Sequence, residues 1–271
     1  LASNPPLIVD RCNSTGGIWL DDGEGVKLYK VVLEMGQKRD KKSTLTKNAR
    51  DGTVGRYLFQ LFSNLPLEVW HPTRRSPVIT YSFISLIVLF FLVQLNATTA
   101  QSGWLDLYTP LLDNSSWLYY MVLHPNCFEK FYIWQFLTHG LLHADIIHFL
   151  GNIFMLYLYG DNVEDIIGKK NFIKIILLST ISGGIFQCLL DSNYVIGISG
   201  GVAGVMGAYL ILFPKVHLRF FFLFVILRFP AWVTIAFWLC LQLFGIISGE
   251  MTIAWFAHLG GFICGILLIF T

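Results

Sequence analysis

Two short stretches of this chain carry the residue types of a nucleophile and its base. The run Tyr194-Val-Ile-Gly-Ile-Ser-Gly-Gly-Val-Ala-Gly204 sets Ser199 in a glycine-rich turn that opens an apolar segment. Further along, His258 stands near the start of another apolar segment, in Ala257-His258-Leu259-Gly260-Gly261. Polar, reactive side chains are costly in hydrocarbon and are kept there for a function. A serine hydroxyl that attacks a carbonyl, with an imidazole that takes its proton and returns it to the leaving amine, is a way to hydrolyse a peptide bond. The pattern points to that chemistry in a place where water is scarce.

The elements that must bring these groups together are membrane helices. Of 271 residues, 55% are hydrophobic and 13% charged, and the mean hydropathy is +0.60. Soluble domains carry about a quarter charged residues, so the expected class is an all-α, polytopic membrane protein. The net charge of +2 gives no reason to expect a nucleic-acid partner. Cys12, Cys127, Cys188, Cys240 and Cys264 lack metal-ligand spacing and read as small hydrophobes; no metal or other cofactor is expected. Residues 1–20 hold Pro5, Pro6 and Asp10 and no continuous apolar core, so no signal peptide is expected. A chain that starts at Leu1 and stops at Thr271 straight after an apolar run is expected to lack part of one or both ends.

Hydropathy divides the chain into 1–77, expected to be a soluble, partly flexible region, and 78–271, a membrane domain. Apolar stretches long enough to span fall near 78–95, 142–160, 172–190, 199–213, 230–248 and 254–271, the fourth being short. The segment 96–138, with Trp104, Trp117, Tyr119, Tyr120 and Trp134, reads as an interfacial loop. Twelve of the nineteen Lys and Arg residues lie in 1–77, including the run Lys38-Arg39-Asp40-Lys41-Lys42 and the pair Arg74 and Arg75 beside the first span. Lys169, Lys170 and Lys174 follow the second span, and Lys215, Arg219 and Arg228 separate the fourth from the fifth. The remaining connections carry only Lys130. The positive-inside rule then sets the N-terminus in the cytosol and the aromatic loop outside or in a lumen. On that map His143, His148 and Asn152 fall in the first turns of helix two, Ser199 at the first residue of helix four and His258 about one turn into helix six, all at one depth near the outer face.

This set resembles the rhomboid family of intramembrane serine proteases. Gly197-Ile198-Ser199-Gly200 resembles its GxSG motif, and His143, His148 and Asn152 its HxxxxHxxxN pattern. Ala257-His258 with Gly261 and Gly265 resembles its last helix; Trp134 in the long loop and Gly160-x-x-x-Glu164-x-x-x-Gly168 also fit. Two positions depart: Gln135 stands where the family often has arginine, and Ala203 where many members have an aromatic that packs on the catalytic histidine. The similarity covers roughly 78–271; residues 1–77 resemble no domain. The resemblance implies a six-helix bundle that uses a Ser199–His258 dyad to cleave single-pass transmembrane proteins in or near the outer leaflet of the lipid bilayer. It implies a multi-pass protein of the secretory pathway or plasma membrane.

The chemistry accounts for the other residues. Glu250 and Asp191 lie in loops, which leaves a dyad whose imidazole is oriented by packing. The oxyanion would form at the N-terminus of helix four, where free N–H groups and the positive dipole end favour negative charge, with Gly200 in that turn. His148 and Asn152, four residues apart, share one helix face and can donate to the same oxygen. Gly197 permits the tight turn, and Ala257, Gly261 and Gly265 at four-residue spacing let helix six approach helix four. His143 is expected to support the outer loop.

Plainer readings exist for each group. A serine in a membrane helix commonly bonds back to its own backbone; His258 and Asn152 can be interhelical hydrogen-bond partners, and His139 interfacial. Jointly these require four unrelated accidents at one depth. A soluble hydrolase elbow needs a strand before the serine, and His139-Gly-Leu-Leu-His143 lacks the glutamate of a zinc protease motif. A transporter would need an intramembrane ion pair or paired broken helices. The remaining alternative is a catalytically silent rhomboid-like protein that binds membrane clients; the retained Ser199 and His258 argue against it.

Overall fold

The computed structural model describes residues 10–11, 18–19, 67–68, 76–102, 107–222, 225–250 and 252–271. The expectations for the basic run at 38–42, Arg74, Arg75, Trp104 and nearly all of 1–77 lie outside the described residues. The chain divides into two compact units, 1–63 and 64–271. In the first, β1 (Asp10–Arg11) pairs antiparallel with β2 (Ile18–Trp19).

The second unit is helical. It comprises α1 (Val78–Ser102), a short α2 (Gln135–Thr138), α3 (Ile146–Leu190), α4 (Ser199–Leu212), α5 (Ala231–Ser248) and α6 (Trp255–Leu268). By length and composition α1, α3 and α5 can cross a membrane, while α4 and α6 are shorter apolar helices. The 45 residues of α3 are two helices joined at Gly168, whose φ of 78° and ψ of 164° are open to glycine and poor for other residues. The break falls between the two apolar stretches expected as spans two and three. Helix α1 runs to Ser102, past the expected end near 95, because Asn96-Ala-Thr-Thr continues it and the Thr98 hydroxyl bonds back to the Gln94 carbonyl.

Local signals set the ends. Asp145 caps α3 by accepting from the His148 N–H at 2.8 Å. Pro230 precedes α5, and Gly249 closes it in the left-handed conformation with φ 67°. The N-terminus of α1 is capped at long range: the Glu164 carboxylate accepts the Ile79 and Thr80 N–H groups at 3.0 and 2.8 Å and the Thr80 hydroxyl at 2.8 Å. At the opposite end of α1, Gln94 clamps the backbone of His143, donating to its carbonyl at 2.5 Å and accepting its N–H at 2.9 Å. The two clamps hold α1 antiparallel to the first arm of α3.

Buried residues of α1, α3, α4 and α6 form one main core, with Phe91 and Phe149 stacked 3.8 Å apart. Helix α4 is its centre, with residues 200–209 all buried. The connection from α4 to α5, read from sequence only as a basic loop, is a β-hairpin of β4 (His217–Phe222) and β5 (Val225–Pro230). Strand β3 (Leu67–Glu68) adds to its free edge, with Leu67 opposite Arg219, within the unit 64–271.

Candidate active site

The site is built from the turn into α4 outwards. Segment 191–198 reaches α4 along the loop 107–138: Leu123 and Val195 exchange backbone hydrogen bonds of 3.1 and 2.9 Å, and the Gly197 N–H donates to the His139 carbonyl at 2.9 Å. Gly197 then turns the chain with φ 104°. A Cβ there would sit 2.6 Å from the His148 ring, and the Asn152 amide lies next in line at 3.8 Å. Gly197 therefore provides both the turn and the space into which His148 packs. Ser199 is the first helical residue of α4, so the N–H groups of its opening turn have no intrahelical acceptor.

Helix α6 approaches with no side chains between backbones. A Cβ on Gly261 would lie 2.0 Å from the Gly200 carbonyl oxygen, and one on Gly265 1.9 Å from that of Gly204. The start of α6 is tied to α3 as well, since Gln187 accepts the Ala257 N–H at 3.1 Å and donates to Asp191 at 2.7 Å. With both helices held in this way, His258 Nε2 lies 2.9 Å from Ser199 Oγ. The other ring nitrogen, Nδ1, lies 2.7 Å from Gln242 Oε1 on α5. Trp238 and Trp255 flank the imidazole, their ring centroids 6.0 and 6.3 Å away. Ala203 itself is buried in α4.

His148 and Asn152 share a face of α3, and the Asn152 amide donates to the His148 carbonyl at 3.0 Å. That leaves its second N–H for another acceptor. His143 is placed differently from the sequence expectation. It precedes α3, in the loop ahead of the Asp145 cap, where the Gln94 side chain clamps its backbone. Its ring is fully buried, edge-on to Phe91 and Phe149 and 5.3 Å from the His148 ring. His139 is likewise buried within the protein; its ring bonds to the Gln135 carbonyl at 2.7 Å. A 3-10 turn over His139–Leu141 keeps His139 and His143 off a common helix face.

The loop 107–138 is pinned over this turn. Trp134 Nε1 and Gln135 Nε2 both donate to the Tyr120 carbonyl, at 3.0 and 3.2 Å, and Gln135 accepts the His124 N–H at 3.2 Å. Gln135 thus anchors the loop with neutral hydrogen bonds at the position where arginine was expected. Burial holds His124 below the ordinary histidine value. In the α5–α6 connection, hydrogen bonds from the Thr252 hydroxyl and N–H hold Glu250 below the ordinary carboxylate range.

The residues that sequence reading missed are glutamines: Gln94, Gln187 and Gln242 each bridge two elements from within an apolar helix. The signal was there. A lone amide in hydrocarbon needs a partner, since an unsatisfied polar group costs several kcal/mol by general estimate, roughly 2–7.

A helical, apolar protein that seats a serine hydroxyl against an imidazole at one end of its central helix is a membrane-embedded protein with the groups of a serine hydrolase. Residues 130–271 match the Rhomboid domain family, more than half of the chain, and the chain belongs to the rhomboid family of intramembrane proteases.

Proposed function

We propose that this protein is an active intramembrane serine endopeptidase that cleaves single-pass transmembrane proteins in or near the outer-leaflet part of their membrane segment. The observation that carries the reading is the 2.9 Å contact between Ser199 Oγ and His258 Nε2, made between helices whose backbones touch. Ser199 Oγ attacks the scissile carbonyl carbon as its proton passes to His258 Nε2. The carbonyl oxygen takes the negative charge beside the opening amides of α4, with His148 and Asn152 as side-chain donors. The imidazolium then protonates the departing amine, and water hydrolyses the acyl-enzyme by the same route in reverse. Gly200, Gly197 and Gly261 hold the site's shape, and His143 buttresses His148 from beneath.

A helical substrate has its carbonyls hydrogen-bonded, so segments with glycine or other helix-weakening residues should be preferred. With the N-terminus cytosolic, the site opens to the extracellular or lumenal side and the product is a released ectodomain. The full chain in detergent, given a transmembrane substrate, should cleave it, whereas Ser199→Ala and His258→Ala should not. A fluorophosphonate should label the wild type and fail on either variant, and a metal chelator should change nothing. Undiminished turnover by Ser199→Ala would end the serine mechanism. Binding of the substrate without turnover or labelling by the wild type would favour the silent client-binding alternative.

A further inference from the structure

We infer that Gln242 is a positioning residue for the Ser199–His258 pair: its side-chain oxygen holds His258 in the tautomer that carries its proton on Nδ1. The inference rests on the serine-protease reading above and goes beyond it by adding a member from a third helix, α5.

The geometry starts from the amide. Gln242 is buried, and its Nε2 donates to the Trp238 carbonyl at 3.1 Å, one turn back along α5. A flipped amide would set its oxygen against that carbonyl oxygen, two acceptors with no proton between them, and turn an N–H₂ towards the imidazole. The Trp238 carbonyl therefore fixes which atom faces His258, and that atom is Oε1, at 2.7 Å from Nδ1. An amide oxygen only accepts, so Nδ1 is the donor. A neutral imidazole carries one ring proton; with it on Nδ1, Nε2 presents a bare lone pair to the Ser199 hydroxyl 2.9 Å away. The opposite tautomer would aim an N–H at the serine and leave no base.

The contact persists through the reaction. When Ser199 Oγ bonds to the carbonyl carbon, its proton moves to Nε2 and the carbonyl π electrons move to oxygen. His258 is then an imidazolium with both nitrogens protonated, and its Nδ1–H still points at Gln242 Oε1 in a stronger, charge-assisted hydrogen bond. Gln242 neither gains nor loses a proton at any step. A neutral acceptor supports the cation less than a carboxylate does, but it places no permanent charge among apolar helices. Ring contacts with Trp238 and Trp255 limit tilt; they cannot choose between tautomers.

Gln242→Met removes the acceptor at nearly constant volume, and Gln242→Glu, held protonated in this apolar setting, keeps an accepting oxygen for Nδ1 while its O–H takes over the donation to the Trp238 carbonyl. Steady-state kinetics of the full chain on a transmembrane substrate should show kcat reduced about 10- to 100-fold by Gln242→Met, as for loss of part of a general-base contribution, with KM unchanged. Gln242→Glu should recover most of that loss. Wild-type kcat in a folded Gln242→Met, or a Gln242→Glu as slow as Gln242→Met, would reduce Gln242 to a packing residue. Nitrogen-15 NMR of histidine-labelled wild type gives the same decision without a variant: a neutral His258 protonated on Nδ1 is expected, and the Nε2–H tautomer would overturn the inference. Ser199→Ala separates the two levels. Turnover surviving in Ser199→Ala removes the serine mechanism itself, whereas an inactive Ser199→Ala beside a fully active Gln242→Met removes only the role of Gln242.

Discussion

On the proposed mechanism, His148 and Asn152 act only once charge has formed on the substrate. Each should therefore affect kcat more than KM when replaced by alanine. Losing one oxyanion donor in a soluble protease costs about 10²–10³ in rate. Here the opening amides of α4 share the charge, so each single variant should lose less and the double variant more than either. Unchanged kcat in the folded double variant would leave the oxyanion to the backbone alone. At this scale the sequence offered the candidate reacting groups and not the residues that contact and hold them. Ser199, His258, His148 and Asn152 were visible because reactive types recur at telling spacings. Gln242 was not, because sixteen residues separate it from His258 and no local pattern links them.

At the scale of elements, the approach of α6 to α4 and the cap that seats α1 should fail differently. Gly261→Ala places a methyl carbon 2.0 Å from the Gly200 carbonyl oxygen, so the helices must part and the Ser199–His258 contact with them. Overpacking of this kind costs about 1–3 kcal/mol, and fluorophosphonate labelling should be lost with a lowered Tm. Glu164→Ala leaves the amides at the start of α1 uncapped at the far end of the bundle, with an expected loss of about 2 kcal/mol; Tm should fall while labelling at low temperature persists. The outer loop supplies a pH test. His124 titrates below its ordinary value of 6.5 when folded, so the stability it contributes is complete above that value and is lost as pH falls beneath it. Protease sensitivity of 107–138 should therefore rise on acidification below about 6.5, and His124→Gln should flatten the response. Helix positions were legible from hydropathy to within a few residues at most ends. The β4–β5 hairpin was not: its short apolar runs fell below spanning length, and its partner strand lies in a distant part of the chain.

For the molecule as a whole, orientation is the open expectation, and glycosylation reads it directly. Asn96-Ala-Thr98 and Asn114-Ser-Ser116 are both acceptor sequences. Asn96 lies within α1, where Thr98 is buried and bonded to its own helix, whereas Asn114 is exposed in a turn. Expression in glycosylating membranes should add one glycan, removed by Asn114→Gln and kept by Asn96→Gln, while an N-terminal tag stays on the cytosolic side. A lumenal tag with an unglycosylated Asn114 would invert the topology. The expectation rests on the positive-inside pattern, because basic residues avoid translocation one loop at a time, independently of how the helices later pack.

The burial of α4 bears on how the protein is made. Its fourteen residues extend about 21 Å at the usual helical rise, short of a hydrocarbon core of about 30 Å. A segment of that length, rich in glycine, is a weak candidate to leave the translocon for lipid unaided, and its small residues find their surface only on α3 and α6. Helix α6 is synthesised after α4 and α5, so a nascent chain that already displays Ser199 has no base beside it. On the proposed mechanism the nucleophile is born unarmed, and competence arrives only when the C-terminal helix docks.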